Sequence, residues 1–364
     1  MSMRTKRIQK LQAEMAKKGF DALIVTSEIN QRYLTGFAYT DGYVLVTTGK
    51  CYLLTDFRYI EAAKATVDAD LFEILMPKGG MLDEMACRMA ENSVQIAAVE
   101  EATLSLSAYE RFKVKFAGVD IVPGGSALID TLRLYKDEEE FASMARAQAI
   151  TDAAFEHILT VLHPNMTEIE VALELEFFMR KMGSEGIAFD TIAVSGSMSA
   201  RPHGEPRPVK LEKGFLTMDY GARVDGYCSD MTRTVVLGKA DAEIKKVYDT
   251  VLLAQTTAID ALQAGLGCRA ADKIARDIID GAGYEGCFGH SLGHGVGLYI
   301  HENPRLSFGA GENDVLQPGH VVTAEPGIYI ECKYGCRIED MIGIKADGTA
   351  HDFTHSRKDM IELF

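Results

Sequence analysis

The chain has 364 residues, 47% hydrophobic and 25% charged, ordinary globular usage, and at roughly 150 residues per domain it reads as two domains with room for substantial cores. A formal net charge of -15 excludes a broad electrostatic grip on nucleic acid or on an anionic membrane. Seven cysteines (Cys51, Cys87, Cys228, Cys268, Cys287, Cys332 and Cys336) form no CxxC spacing, which fits a reducing compartment better than a disulfide framework.

The first residues, MSMRTKRIQKLQAEMAKKGF, are charged and amphipathic, unlike a signal peptide. Ile8, Leu11 and Met15 make one helical stripe over 4–18. No run approaches the roughly 18 apolar residues of a membrane span, so a soluble, cytoplasmic protein is expected. Residues 21–26 (DALIVT) read as a buried strand, and 43–47 and 51–55 as strands around a turn at Gly49. Helical stretches at 59–66 and 80–91, with short apolar runs at 96–99 and 119–122, complete a small α/β domain. Pro123-Gly124-Gly125 is the strongest break in this half, and the boundary is expected within 125–135, giving domains 1–130 and 131–364.

The second domain opens with a long helix. Asp137 and Glu140 form a capping-box pattern, and Phe141, Met144, Ala147, Phe155, Ile158 and Leu162 follow at helical spacing up to Pro164. Thr167 and Glu170 repeat the box, and that helix runs to Gly183. Helices at 242–263 and 269–281 alternate with strand-rich segments at 187–195, 214–237, 320–330 and 336–345. The expected class is α+β, helices packed on an antiparallel sheet.

Three segments carry chemistry. In GFLTMDYGARVDGYCSDMTRTVVL (214–237), Asp225-Gly226 signals a type I′ hairpin. Counting outward pairs Val224 with Tyr227, Asp219 with Thr232 and Gly221 with Asp230. Asp219 and Asp230 then share a face, roughly 7–8 Å apart as diagonal neighbours. They are either solvated surface acids or a pair held together by a cation. In VVTAEPGIYIECKYGCRIEDMIGI (321–344), Glu325 and Glu339 interrupt apolar runs on either side of a turn expected around 333–335. Buried acids are costly unless paired or coordinated, and a salt bridge with Arg337 accounts for one of them, not both. In GCFGHSLGHGVGLYIHENPR (286–305), His290, His294 and His301 lie within twelve residues of a glycine-rich stretch, out of nine histidines in all. The glycine spacing is not that of a dinucleotide loop, and HENPR is not HExxH. Four carboxylates and an imidazole are a hard donor set that suits Mn²⁺, and less selectively Co²⁺ or Zn²⁺. Their charge balances two divalent ions, which at roughly 3.5–4 Å separation clamp attacking and carbonyl oxygens together.

Taken together, MDYGARVDGYCSDMTRT, GHSLGHGVGLYIHENPR, TAEPGIYI and GCRIED resemble the Xaa-Pro peptidase family, prolidase and aminopeptidase P, in order and spacing. DALIVTSEINQRYLTGF and TDFRYIEAA resemble that family's creatinase-like N-terminal domain. The resemblance covers the whole chain and implies a pita-bread catalytic domain, a homodimer and metal-assisted hydrolysis of the bond preceding proline in small peptides. It further implies that Asp219, Asp230, His294, Glu325 and Glu339 ligate two metal ions, with Asp230 and Glu339 bridging. Glu325 would also shuttle a proton, His203 would be an outer histidine, and His290 and His301 would hydrogen-bond substrate and intermediate. Arg337 would support the ligands, Arg305 would meet the substrate carboxylate, and Tyr329 would line the site. Cys336 departs from the pattern and introduces an oxidisable thiol beside Arg337. The absence of tryptophan means that any Trp-lined pocket of relatives is built differently here. An aminopeptidase acting on longer Xaa-Pro peptides shares every one of these residues. Creatinase-like chemistry needs no metal, and a non-enzymatic pita-bread binding module would have lost ligands, so the full set argues against both.

Overall fold

The computed structural model describes residues 2–364, which divide into two compact units, Met1–Arg133 and Leu134–Phe364. In the first, helix α1 (Met3–Lys18) buries the stripe Ile8, Leu11 and Met15 and ends on Gly19, whose φ of 75° closes the helix in the left-handed region. Strands β1 (Ala22–Val25), β2 (Gly42–Thr47), β3 (Cys51–Thr55), β4 (Phe72–Leu75), β5 (Ile96–Val99) and β6 (Asp120–Pro123) form one mixed sheet in the order β4-β3-β2-β1-β5-β6. Helices α2 (Glu28–Thr35), α3 (Ile60–Thr66), α4 (Met81–Glu91), α5 (Leu106–Lys115) and α6 (Gly125–Arg133) complete it. Elements α2, β4, α5 and α6 go beyond the sequence reading. The Pro123-Gly124-Gly125 break leads straight into α6.

In the second unit both capping boxes form: Asp137 with Glu140 opens α7 (Glu138–Val161), and Thr167 with Glu170 opens α8 (Glu168–Lys181). Strands β7 (Ile192–Ser195), β8 (Gly214–Tyr220), β9 (Arg223–Val224), β10 (Tyr227–Cys228) and β11 (Met231–Leu237) follow, then α9 (Ala242–Ala261) and α10 (Cys268–Ile279). The remaining strands are β12 (Gly293–Gly295), β13 (Glu302–Leu306), β14 (Val321–Ala324), β15 (Gly327–Ile330), β16 (Tyr334–Arg337), β17 (Asp340–Ile344), β18 (Ala350–Asp352) and β19 (Glu362–Leu363). There are two principal sheets, not one: β19-β11-β8-β7 and the antiparallel β13-β12-β14-β17-β18. Apolar residues of α7 and α8 pack on the first around Leu216, Met218 and Val235. Those of α9 and α10 pack on the second around Val322, Ile342 and Ile344.

The β9–β10 turn has φ of 52° at Asp225 and 86° at Gly226, the positive pair a type I′ turn requires. The register follows as counted: Val224 pairs with Tyr227 and Asp219 with Thr232. At Gly221 the strands approach so closely that a Cβ would lie 1.9 Å from the Ser229 carbonyl. The segments 320–330 and 336–345, read as continuous strands, are each broken beside a glutamate. Pro326 has no N–H to continue the ladder, and the turn falls at 331–333, where Cys332 takes a φ of 60°. The β14–β17 ladder ends at Ala324 opposite Asp340, so Glu325 and Glu339 are the next opposed residues.

Candidate metal centre

One cleft of about 310 Å³ gathers ten of the residues singled out above: His203, Asp219, Asp230, His290, His294, His301, Arg305, Glu325, Arg337 and Glu339. Tyr329 stands behind them. Asp219 comes from β8, Asp230 from the residue before β11, His294 from β12, and Glu325 and Glu339 from the strand breaks. The two sheets are tied at this point by the Glu339 N–H donating to the Thr232 carbonyl at 3.1 Å.

Asp230, His294 and Glu339 each offer a donor atom, and all three atoms lie within 4.8 Å of one another. His294 Nε2 stands 3.6 Å from Asp230 Oδ2 and 3.5 Å from Glu325 Oε1. Its Nδ1 is 3.0 Å from the Gly295 carbonyl, so Nδ1 carries the proton and Nε2 presents a lone pair to the carboxylates. Burial holds this ring neutral, with its pKa lowered to about 3. A Cβ at Gly293 would lie 2.0 Å from the Thr323 carbonyl, so glycine is what lets His294 run this close to β14.

A hydrogen-bonded chain supports the carboxylates. Arg337 Nη2 donates to Asp219 Oδ2 at 2.7 Å, Nη1 to Tyr329 Oη at 2.8 Å and Nε to Thr232 Oγ1 at 2.9 Å. Thr232 in turn donates to Glu339 Oε2 at 2.7 Å. The direction is forced, because a guanidinium only donates and a carboxylate only accepts. Arg337 thus holds Asp219 directly and Glu339 through one hydroxyl; the direct salt bridge goes to Asp219 and not to either glutamate. His290 Nδ1 is 2.9 Å from the Ser291 carbonyl and Nε2 is 2.9 Å from Tyr329 Oη. Both ring nitrogens are therefore occupied, and burial lowers this pKa to about 4. His203 and His301 are exposed at the cleft, and the His301 ring meets His294 edge-on at 4.4 Å. Arg305, opposite His294 in the β12–β13 register, is exposed there too.

The carboxylates are short of positive charge. Burial, then Asp219 and Glu325, push Asp230 well above the usual carboxylate range. Burial, then Asp230, do the same to Glu339. Burial raises Glu325 to about 8 despite Arg337. Asp219 Oδ1 is buried with no hydrogen-bond partner. An orphaned carboxylate oxygen, a bare imidazole nitrogen and three acids that resist ionisation describe a pocket built for cations, and oxygen-rich donors suit hard divalent ions.

Thr232 escaped the sequence reading, although the hairpin count placed it opposite Asp219, and that position was the available signal. Phe189, Ile192, Pro202 and Ile300 give the cleft an apolar wall that no motif announced. Cys336 is buried, and burial pushes its thiol up to about 12, which protects it from the oxidation its position suggested.

Residues 142–346 match the family model of metallopeptidase family M24, and residues 7–135 match the creatinase/prolidase N-terminal domain. The Xaa-Pro dipeptidase of Pyrococcus furiosus is 35% identical over 98% of this chain and 99% of its own length. Among solved structures, an Xaa-Pro dipeptidase from Bacillus anthracis is 41% identical with a TM-score of 0.94, covering 99% of this chain and 100% of that one. An X-Pro aminopeptidase from Thermotoga maritima is 35% identical with a TM-score of 0.89, covering 95% and 98%. The likeness spans both parts, the creatinase-like N-terminal domain and the pita-bread catalytic fold, and with it comes dependence on divalent metal. The chain belongs to metallopeptidase family M24, in the form that carries a creatinase/prolidase N-terminal domain.

Proposed function

We propose that this enzyme hydrolyses the peptide bond before proline in Xaa-Pro dipeptides, using two divalent ions, Mn²⁺ by preference. Asp219, Asp230, His294, Glu325 and Glu339 would hold the ions. The observation that carries this reading is the convergence of these carboxylates on the bare Nε2 of His294 inside one cleft. When bound, such ions polarise the scissile carbonyl and make water acidic enough to supply a nucleophile at neutral pH.

The chain's own groups do the rest. Glu325, whose Oε1 stands 3.5 Å from His294 Nε2 in the cleft, accepts the proton from the attacking water and delivers it to the prolyl nitrogen as the bond breaks. His301 and His203, exposed to the cleft, donate hydrogen bonds to the carbonyl oxygen as charge develops there. With both nitrogens occupied, His290 acts by anchoring Tyr329 and Arg337, which keep Asp219 and Glu339 oriented. Arg305 receives the substrate carboxylate. A prolyl amide has no N–H to be read, so selection for proline falls to shape against the apolar wall of Phe189, Ile192 and Ile300.

The deciding experiment compares Ala-Pro with Ala-Pro-Ala in the presence of Mn²⁺. Faster cleavage of the dipeptide is expected; preference for the tripeptide would replace the dipeptidase reading by that of an aminopeptidase. We take the enzyme to be a cytoplasmic homodimer, in keeping with its seven free thiols; light scattering of the purified chain tests the dimer.

A further inference from the structure

The loop that carries His290 is held from behind by helix α10. Asp272 and Arg276, one turn apart on that helix, pair through Nε to Oδ2 at 2.9 Å and Nη2 to Oδ1 at 3.1 Å. The Asp272 side chain is 1% exposed and that of Arg276 23%. Asp272 Oδ1 accepts the Leu292 N–H at 2.9 Å. Arg276 donates through Nη1 to the Phe288 carbonyl at 2.6 Å and through Nη2 to the His290 carbonyl at 2.9 Å. Its guanidinium lies over the Phe288 ring, 4.4 Å from the centroid, and that ring meets the His290 ring edge-on at 5.0 Å. The Leu292 carbonyl then accepts the Glu325 N–H at 2.8 Å.

An i,i+4 ion pair on a helix surface contributes only a few tenths of a kcal/mol. This one is spent differently. Residues 287–292 belong to no strand; the Cys287 carbonyl accepts the Tyr329 N–H at 3.0 Å and the Leu292 carbonyl that of Glu325, while the carbonyls of Phe288 and His290 between them are met by Arg276. The Arg276 fork spans two carbonyls two residues apart while its other edge is fixed by Asp272. A lysine, with one compact charge, lacks that planar geometry. The side-chain hydrogen bonds that the pair makes beyond itself end on the loop whose His290 side chain reaches Tyr329, while the Arg276 guanidinium also lies 5.1 Å from the Phe308 ring centroid. Neither Asp272 nor Arg276 lines the cleft.

We propose that Asp272 and Arg276 form a positioning clamp that sets the His290 ring against Tyr329, and that turnover depends on it. The clamp rests on the reading of His290 as a working part of the centre, and the test separates the two ideas. It is a double-mutant cycle of Arg276→Gln and His290→Ala. For each variant, kcat and KM on Ala-Pro are measured with saturating Mn²⁺, Mn²⁺ affinity by calorimetry and folded fraction by urea melting. Arg276→Gln is expected to lower kcat per folded enzyme about tenfold or more, the scale of a small misplacement in an active site. KM and Mn²⁺ affinity should stay close to wild type, and Arg276→Lys should recover only part of the loss. In the His290→Ala background the same change should cost less than about threefold, since its target is gone. Fully additive losses, or a kcat loss that merely tracks the unfolded fraction, overturn the clamp and leave the role of His290 standing. An unchanged kcat in His290→Ala refutes that role and removes the clamp's target with it. Should Arg276→Gln fail to fold, Asp272→Asn, which keeps an oxygen for Leu292 and drops the charge, enters the same cycle with the same criteria.

Discussion

Two buried arginine–aspartate pairs stand on either side of one strand pairing, and they serve opposite ends. Thr232 and Arg233 are consecutive on β11, as are Glu339 and Asp340 at the start of β17, and consecutive strand residues face opposite ways. Away from the cleft, Arg233 makes five hydrogen bonds: to Asp340 Oδ1 at 2.8 Å and to the carbonyls of Thr232, Glu339, Ser356 and Arg357. The other oxygen of Asp340 takes Gln255 at 2.8 Å and Lys358. Burial works against the Asp340 charge, yet Arg233 and Lys358 hold its carboxyl below the usual range. On the cleft side, Arg337 and Asp219 make an equally short contact, but Asp219 keeps an orphaned oxygen and the acids around it are pushed up. A satisfied buried pair fastens the structure. An under-compensated cluster is a demand for cations, and satisfaction separates the two where burial does not.

That contrast can be broken from either side. The largest effect is expected from His294→Ala, which should reduce Ala-Pro hydrolysis to background while the urea midpoint of the metal-free protein stays near wild type. Exhaustive chelation should do the same reversibly, and full turnover by chelated enzyme would falsify the metal mechanism. On the structural side, Asp340→Asn should destabilise by about 3–5 kcal/mol, the cost of breaking a buried ion pair, in urea unfolding. Activity per folded molecule should survive better than in any variant of the cleft acids. A stable Asp340→Asn protein without activity would invert the assignment.

Thr232→Val tests the hydroxyl that joins the cleft pair to Glu339. The side chain keeps its shape but loses the link, so Mn²⁺ affinity should fall about 10–100-fold, with recovery in Thr232→Ser. Equal affinities in all three proteins would show the bridge to be idle. The smallest effect concerns pH. Glu325, ordinarily near 4.5, rises to about 8 through burial, so the metal-free folded state holds a proton that the unfolded chain releases, and stability falls as pH rises. The lowered values of His290 and His294 act in the opposite direction, but only below their ordinary 6.5. From about pH 7 to 8.5 the carboxyls lead, and the buried thiols of Cys51, Cys268 and Cys336, raised from their ordinary 9.0, add in the same direction only toward the upper end. The chelated protein should therefore lose a few degrees of Tm across that window, and the gain on adding Mn²⁺ should grow. A Tm that rises through the window contradicts the crowding of the acids.

The N-terminal unit shows where pattern reading stops. In α5 the apolar Leu106 and Val114 are exposed and only Phe112 is buried, so helical periodicity carries almost no signal. In α2 the buried face includes Asn30, Gln31 and Thr35; Asn30 donates to Glu100 and accepts from Arg133, Gln31 donates to the Thr26 and Gly42 carbonyls, and Thr35 donates to the Gln31 carbonyl. Both helices depend on neighbours that lie far away in sequence, and neither has the stripe that made α1 legible.

By itself the sequence determined what local chemistry controls. Capping boxes at Asp137 and Thr167 start their helices. Asp225-Gly226 sets a turn whose register places Asp219 opposite Thr232 and one step from Asp230, and the order of the motifs marks the family. Tertiary structure alone decided which partner each charged group found. Arg337 chose Asp219 over the glutamates, Thr232 became the link to Glu339, His290 spent both nitrogens on its surroundings, and an ion pair on α10 took charge of its loop. Such pairings join segments up to 118 residues apart, where geometry is set by how helices and sheets pack. Periodicity reports which face a residue is on, and only packing reports what waits there.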